Sequence, residues 1–251
     1  SQLEDAKIVD ISNDIELFNI QQATFVLRNC FKSFPKGTVH IISVDDEISI
    51  NNEHLAIYAN GHFFVGADNG FFSLLFDEFK PEKIVRLNIS LEEDCMTFAA
   101  KYIFVPAACH LARGGTMEII GTEIPDFEVQ KMELKAVIQA DMIRGVVVYV
   151  DNYGNSISNI SKKIFQEVGK GRDFEVNANR YIFKKIVSKY SDIVDFSIPK
   201  DQRQKDGTRL AIFNTANYLE IAMYRSNLDT VGGASSLLGL SYRDIITVKF
   251  I

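Results

Sequence analysis

The chain has 251 residues, 47% of them hydrophobic, a formal net charge of −6 and a mean hydropathy close to zero. That length and apolar content suit one large domain or two small ones with a proper core. The acidic balance argues against nucleic acid as a partner, and no apolar run reaches the roughly 18–20 residues of a membrane span.

In chain order, the opening SQLEDAKIVDIS is too mixed for a signal peptide. KIVDI (7–11) reads as a short buried strand, entered so abruptly that a further strand is expected before Ser1. Asn19-Ile20-Gln21-Gln22 resembles a capping box. Behind it Ile20, Ala23, Val26, Leu27, Cys30, Phe31 and Phe34 recur at helical spacing until Pro35 and Gly37 stop the helix. Thr38 to Val44 is the next strand, and HLAIYANGHFFVGA (54–67) is a hairpin turning on Asn60-Gly61. FFSLLFDEF (71–79) reads as a buried helix, KIVRL as a strand, and residues 102–112 as a helix with Pro106 in its first turn and Gly114-Gly115 closing it.

The polar stretch TEIPDFEVQKMEL marks a crossing between domains, so the expected division is 1–130 and 131–251. Strand-like runs dominate beyond it: 133–139, 144–150, 155–160, 173–183, 209–213, 218–224 and 245–251, with turn signals at Asp206-Gly207 and Asn214 to Asn217. The fold expected is an α/β N-terminal domain, its sheet mostly parallel and flanked by helices, followed by an all-β barrel-like C-terminal domain.

Cysteines and histidines bound the chemistry. Cys30, Cys95 and Cys109 are odd in number and set among apolar residues, which reads as reduced thiols of a cytoplasmic protein. His40, His54, His62 and His110 lack metal-ligand spacing, so no metal is expected.

Four clusters carry more polar chemistry than turns require. In VVVYVDNYGNSISNI (146–160) a strand runs into Asp151-Asn152-Tyr153-Gly154-Asn155. One reading is an Asx turn with Gly154 at positive φ. The other uses Tyr153 as a stacking platform, Asn155 as a bidentate partner for a purine edge, and Asp151 for a cation. In GADNGFF (66–72), Asp68 or Asn69 either caps the following helix or stands at the open end of the sheet where α/β ligands bind. NTANYLEIAMY (214–224) reads alone as a hairpin turn between strands. In SNLDTVGGASSLLGL (226–240), Gly232-Gly233 with Ala234 permits a close backbone approach to a flat ligand.

Together and in this order the clusters resemble the S-adenosyl-L-methionine (SAM) hydroxide adenosyltransferases, the family shared with the adenosyl fluoride and chloride synthases. AKIVDISNDIELFNIQQATFVLRNCFKSFPKGTVHI, GADNG, TFAAKYIFVPAACHLARG, VDNYGNSISNI and NTANYLEIAMYRSN each resemble a family motif, over nearly the whole chain. The resemblance implies an α/β domain plus a barrel-like domain, assembled as a homotrimer, with a nucleoside ligand between one subunit's first domain and its neighbour's second. It implies no cofactor, SAM being the substrate. It assigns Asp151 to the methionine ammonium, Tyr153 and Asn155 to the adenine, Thr215 to the methionine carboxylate, Gly233 and Ala234 to covering the base, and Phe18 to packing near the ribose.

The chemistry implied is displacement of methionine at ribose C5′, and here the chain departs from the hydrolytic members. Their Asp–Arg–His trio survives only as Asp68: Leu75 stands at the Arg position, and Ala99-Ala100-Lys101-Tyr102 replaces His-Gly-Arg-Asp. The family's VDPGVG turn reads Val44-Asp45-Asp46-Glu47-Ile48-Ser49, whose three acids would repel a halide. The family's first strand, with its ribose-binding acid, has no counterpart in these residues. The expectation is a divergent SAM hydrolase with Asp68 as catalytic group, Asp45 or Lys101 as accessory, and water as nucleophile. The alternative is a catalytically silent binder of SAM or adenosine.

Overall fold

The computed structural model describes residues 3, 6–49, 52–77, 79–89, 97–127, 135–203 and 207–251. The chain divides into two compact units, Ser1–Glu133 and Leu134–Ile251. Cys95 and Asp206 lie outside the described residues.

The first unit holds strands β1 (Val39–Ile41), β2 (His54–Ala59), β3 (His62–Ala67), β4 (Lys83–Leu87) and β5 (Gly121–Glu123), in sheet order β1-β3-β2-β4-β5. Its helices are α1 (Ile20–Cys30), α2 (Phe71–Leu75), α3 (Val105–Ala112) and α4 (Met117–Ile120). The strand period of two splits the side chains of β2 between two cores. Leu55, Ile57 and Ala59 meet Ala23, Leu27 and Phe31 of α1 and Phe71, Phe72 and Leu75 of α2. Ala56, with Val65 and Val85, meets Ile103, Phe104, Ala107, Leu111 and Met117 on the other face.

The expected mostly parallel sheet is not what forms. Among the described residues only β1–β3 is parallel, while β2–β3, β2–β4 and β4–β5 are antiparallel. The reason is local: Asn60 (φ 51°) and Gly61 (φ 79°) make a two-residue turn with both central residues left-handed, which folds β3 straight back on β2. KIVDI is a second correction. Ile8 and Val9 are exposed and residues 7–11 form no strand, because no neighbouring backbone among the described residues supplies a ladder.

α1 starts where expected, with Asn19 Oδ1 accepting the Gln22 N–H at 3.0 Å. The reciprocal half of the box is altered: Gln22 Oε1 accepts from Glu16 N–H instead. α2 stops at Leu75, shorter than the apolar run that suggested it. A π-helical turn, Ala100–Phe104, leads into α3, in whose first turn Pro106 sits without an N–H to give.

In the second unit the strands are β6 (Val137–Ile138), β7 (Met142–Val150), β8 (Ser156–Ser161), β9 (Phe174–Ala178), β10 (Tyr181–Phe183), β11 (Ile186–Val187), β12 (Arg209–Phe213), β13 (Tyr218–Met223) and β14 (Ile245–Phe250). Their order is β10-β9-β14-β7-β8-β13-β12-β11, with β6 on β7. The two ends of that order, β10 and β11, are separated in sequence only by Lys184 and Lys185, and the Arg209 guanidinium of β12 lies over the Tyr181 ring of β10 at 5.0 Å. The sheet therefore curls into a nearly closed barrel, which leaves little unpaired edge. Its core takes Ile143, Val147, Ile160, Val176, Leu219, Ile221 and Val248 from strands all round the order.

Two helices escaped the strand-rich reading of this unit. α5 (Lys162–Gly169) is started by Ser161, whose Oγ accepts the Ile164 N–H at 3.2 Å, and Ile164, Phe165 and Val168 pack on the core. α6 (Ala234–Leu238) carries Ala234 and Leu238 into the same core. Residues 173–183 are two strands rather than one, turning at Asn179 (φ 53°).

Candidate functional site

Each unit contributes a polar loop at the end of a buried strand. In the first unit the loop Asp68–Gly70 follows β3. The Asp68 N–H donates to the Glu53 carbonyl at 2.7 Å, which anchors the loop to the start of β2. Neither Asp68 nor Asn69 is the cap of α2: Gly70, left-handed (φ 91°), holds that position without a side-chain bond, and Asn69 Oδ1 accepts the Phe71 N–H across it at 3.1 Å. The Asn69 amide also donates to the carbonyls of Val44 (2.9 Å) and Asp45 (3.0 Å).

The acidic loop 44–49 is thereby held from several sides. Asn52 Nδ2 donates to the carbonyls of Asp45 (3.1 Å) and Glu47 (2.8 Å), and His54 Nε2 pairs with the Asp46 carbonyl at 2.9 Å. Burial holds the His54 imidazole below its usual range, so at neutral pH it is uncharged and Nε2 carries the proton. Asp45 is left-handed (φ 52°) and exposed, and the Ser43 hydroxyl donates a hydrogen bond to Asp46 Oδ2. Asp45 and Asp68 are thus brought to neighbouring, cross-braced loops. Lys101 is exposed on the π-helical turn and folds back over the Tyr102 ring at 4.7 Å. Phe18 is 72% exposed and left-handed (φ 62°), just before the α1 cap.

The two eroded positions have been absorbed into packing. Leu75 is 1% exposed in the α1/α2 core, and Ala99 is 3% exposed in the core on the opposite face of the sheet. A groove of about 500 Å³ lies at the hairpin end of the same sheet, lined by residues including Lys36, Tyr58, Phe63 and Lys83. It holds none of the expected site residues.

In the second unit, the loop between β7 and β8 is built by its own acid. Asp151 Oδ1 accepts the N–H groups of Tyr153 and Asn155, and Oδ2 accepts the Asn155 Nδ2 proton, all at 2.9 Å. Gly154 takes the expected left-handed conformation (φ 74°). This turn leaves Tyr153 67% exposed and Asn155 only 5% exposed, with Asn155 Oδ1 buried and unpartnered among the described residues. Asn159 has a structural use: its Oδ1 accepts the Val146 N–H at 2.9 Å where the β7–β8 register shifts.

The 226–240 loop is stitched onto that turn. Ser226 Oγ donates to the Tyr153 carbonyl (2.9 Å) and the Ser235 N–H to the Gly154 carbonyl (2.8 Å). A Cβ on Gly233 would lie 2.6 Å from the Tyr153 carbonyl oxygen, so this approach needs glycine. Tyr153 and Gly233 are therefore held together next to Asn155, Ala234 is buried in the core behind them, and Thr215 is exposed in the β12–β13 turn that Asn214 ties.

Glu220 was not singled out from the sequence. It lies mid-strand in β13, 2% exposed, and accepts the Tyr190 hydroxyl proton at 2.7 Å. Burial pushes its carboxyl above the usual range; hydrogen bonds from Tyr190 and Asn214 pull it back, and the Asp151 charge pushes it up again. The signal available in sequence was an acid in the middle of the apolar run of β13.

Residues 1–121 match the N-terminal domain and residues 145–247 the C-terminal domain of the SAM hydroxide adenosyltransferases. The chain belongs to this family. Among its relatives, the (R)-S-adenosyl-L-methionine hydrolase of Methanocaldococcus jannaschii is 26% identical over 98% of this chain and 84% of that protein. The Thermus thermophilus protein of the same name is 26% identical over 93% of this chain and 84% of its own length. Among solved structures, an uncharacterized conserved protein from Thermotoga maritima superposes with a TM-score of 0.81 at 26% identity, covering 98% of this chain and 89% of that one. The chain thus matches both family domains, and its Leu75 and Ala99 are core residues.

Proposed function

We propose that this chain hydrolyses S-adenosyl-L-methionine, water displacing methionine at ribose C5′ to give adenosine and L-methionine. The observation that carries the reading is the wall in the second unit: an exposed ring, Tyr153, beside a buried carboxamide oxygen, Asn155 Oδ1, that awaits a donor. A base stacked on Tyr153 with an exocyclic amine at Asn155 satisfies both. The near-full-length likeness to proteins named as SAM hydrolases supports the same substrate.

In this reading Gly233 and Ala234 cover the base, Phe18 packs near the ribose, Thr215 approaches the methionine carboxylate and Asp151 faces the ammonium. The water oxygen bonds C5′ as the C5′–S bond breaks and its electron pair passes to sulfur, which leaves as neutral thioether. One water proton is released. Asp68 aims the water and takes that proton, with Asp45 or Lys101 as accessory; orientation and exclusion of bulk water supply the rest of the acceleration. No cofactor enters, because the sulfonium is already a good leaving group. A homotrimer and a cytoplasmic setting belong to the same reading, supported by the family resemblance and by Cys30 and Cys109 being free thiols.

The test is incubation with SAM and chromatographic quantification of adenosine and methionine against a protein-free blank. Product above the blank that is lost in Asp68→Ala is expected. Saturable binding without product would overturn hydrolysis and leave the silent binder.

A further inference from the structure

A buried polar atom without a partner costs stability, so a core residue that keeps one must be needed for its other polar atom. His54, the first residue of β2, is 3% exposed and packs its ring edge-to-face with Phe104 at 4.8 Å. Its Nε2 meets the Asp46 carbonyl at 2.9 Å. A carbonyl only accepts, so Nε2 carries the proton and Nδ1 is a bare lone pair. That Nδ1 is buried and has no partner among the described residues. A leucine would pack against Phe104 without this cost. What an apolar side chain cannot supply is the Nε2–H.

That one bond completes a set. Every carbonyl from Val44 to Glu47 is held by a side-chain donor: Val44 and Asp45 by Asn69, Asp45 and Glu47 by Asn52, and Asp46 by His54. The segments that bear the candidate reacting groups also meet at His54. Its ring bonds the loop that carries Asp45. Its register partner on β3 is Ala67, immediately before Asp68, and the carbonyl of the adjacent Glu53 anchors the Asp68 N–H at 2.7 Å. Phe104, against its ring, ends the π-helical turn Ala100–Phe104 on which Lys101 stands.

We propose that His54 is a positioning residue for the displacement at C5′: through the Asp46 carbonyl and the Phe104 ring it fixes the segments bearing Asp45, Asp68 and Lys101 in one arrangement. The inference rests on the reading that Asp68 aims the water, with Asp45 or Lys101 as accessory. His54 acts on the transition state through where those groups stand. In-line displacement is sensitive to such placement, since a shift of about 1 Å can cost on the order of 100-fold in rate. The grip on the base belongs to Tyr153 and Asn155 in the second unit and does not pass through His54. The signature is therefore a fall in kcat without a matching loss of affinity.

The experiment measures SAM turnover by the intact protein and its affinity for S-adenosyl-L-homocysteine, in wild type, His54→Leu and His54→Gln. S-adenosyl-L-homocysteine has a neutral thioether that is no leaving group, so calorimetry with it reads binding alone. Leucine removes the donor and keeps the packing, whereas glutamine places an amide N–H where Nε2 stood. Expected for His54→Leu is a kcat lowered about 10- to 100-fold, with affinity within about twofold of wild type. His54→Gln recovers most of the lost kcat. Should His54→Leu fail to fold, His54→Asn takes its place, its amide being too short to reach Asp46, and the same contrast with His54→Gln is expected. Wild-type turnover in the donor-less variant, affinity that falls in step with kcat, or a His54→Gln enzyme no faster than that variant overturns the inference and leaves the hydrolase reading standing. Wild-type protein that binds S-adenosyl-L-homocysteine yet forms no adenosine from SAM overturns that reading, and the inference with it.

Discussion

The loop after β3 and the loop after β7 look alike in sequence, each an acid and an amide followed by glycine, yet they divide the labour in opposite ways. At 151–155 the acid is the builder: Asp151 holds two backbone N–H groups and the Asn155 amide. At 68–70 the amide is the builder: Asn69 accepts the Phe71 N–H at the start of α2 and braces the acidic loop. The difference teaches that the acid of a polar loop need not be its chemical group. Its role follows from which neighbour already satisfies the backbone.

The sharpest way to break this division is Asp68→Ala. It should lower turnover of SAM by about 100-fold or more, the scale of a lost acid–base group, while S-adenosyl-L-homocysteine affinity stays within a few-fold. A variant with near wild-type turnover would remove Asp68 from the chemistry. Next in size, Asn155→Ala should weaken adenosine binding about 10-fold by removing the carboxamide oxygen that meets the base. Calorimetry finding no change would take the adenine away from this loop.

Gly233→Ala tests whether the second wall needs its close approach. A Cβ 2.6 Å from the Tyr153 carbonyl and 2.7 Å from Gly154 Cα has only backbone to push against, so unfolding should become easier by about 1–3 kcal/mol. An unchanged denaturation midpoint would show that the loop can back away.

The smallest expected effect lies in the first unit, where His40 Nε2 and His62 Nδ1 meet at 3.3 Å among Phe31, Phe34 and Phe64. Burial, then the His62 charge, lowers His40 from 6.5 to about 4, and burial, then Lys36, lowers His62. The unfolded chain therefore binds protons that the folded one refuses, and stability is lost as pH falls from 6.5 toward 4 and is fully present above 6.5. Thermal midpoints across that window should fall on acidification, and less steeply in His40→Phe. A wild-type profile no steeper than the variant's would place the acid sensitivity elsewhere.

Local signals carried much of the fold. Asn19, the Asn60-Gly61 turn and Gly154 each act within a few residues, and each does in the structure what its spacing implied. The strand-like apolar runs at β2 and β13 likewise announced buried strands. α5 was missed because its sequence, KKIFQEVG, is short and sits between strand signals, and its helix depends on packing Ile164, Phe165 and Val168 against the core. KIVDI failed in the converse way, since strand propensity without a neighbouring ladder makes no strand.

The site divides along the same line. By itself the sequence determined which motifs are present and in what order, and so the family, along with the turn glycines. Only the tertiary structure decided that Asn69 braces the acidic loop 44–49, that Gly233 packs against the Tyr153 carbonyl, and that the Tyr190 hydroxyl reaches the buried Glu220. The reason is physical. Turn conformation depends on a residue and its immediate neighbours, whereas burial and proton affinity depend on which distant side chains exclude water from the group.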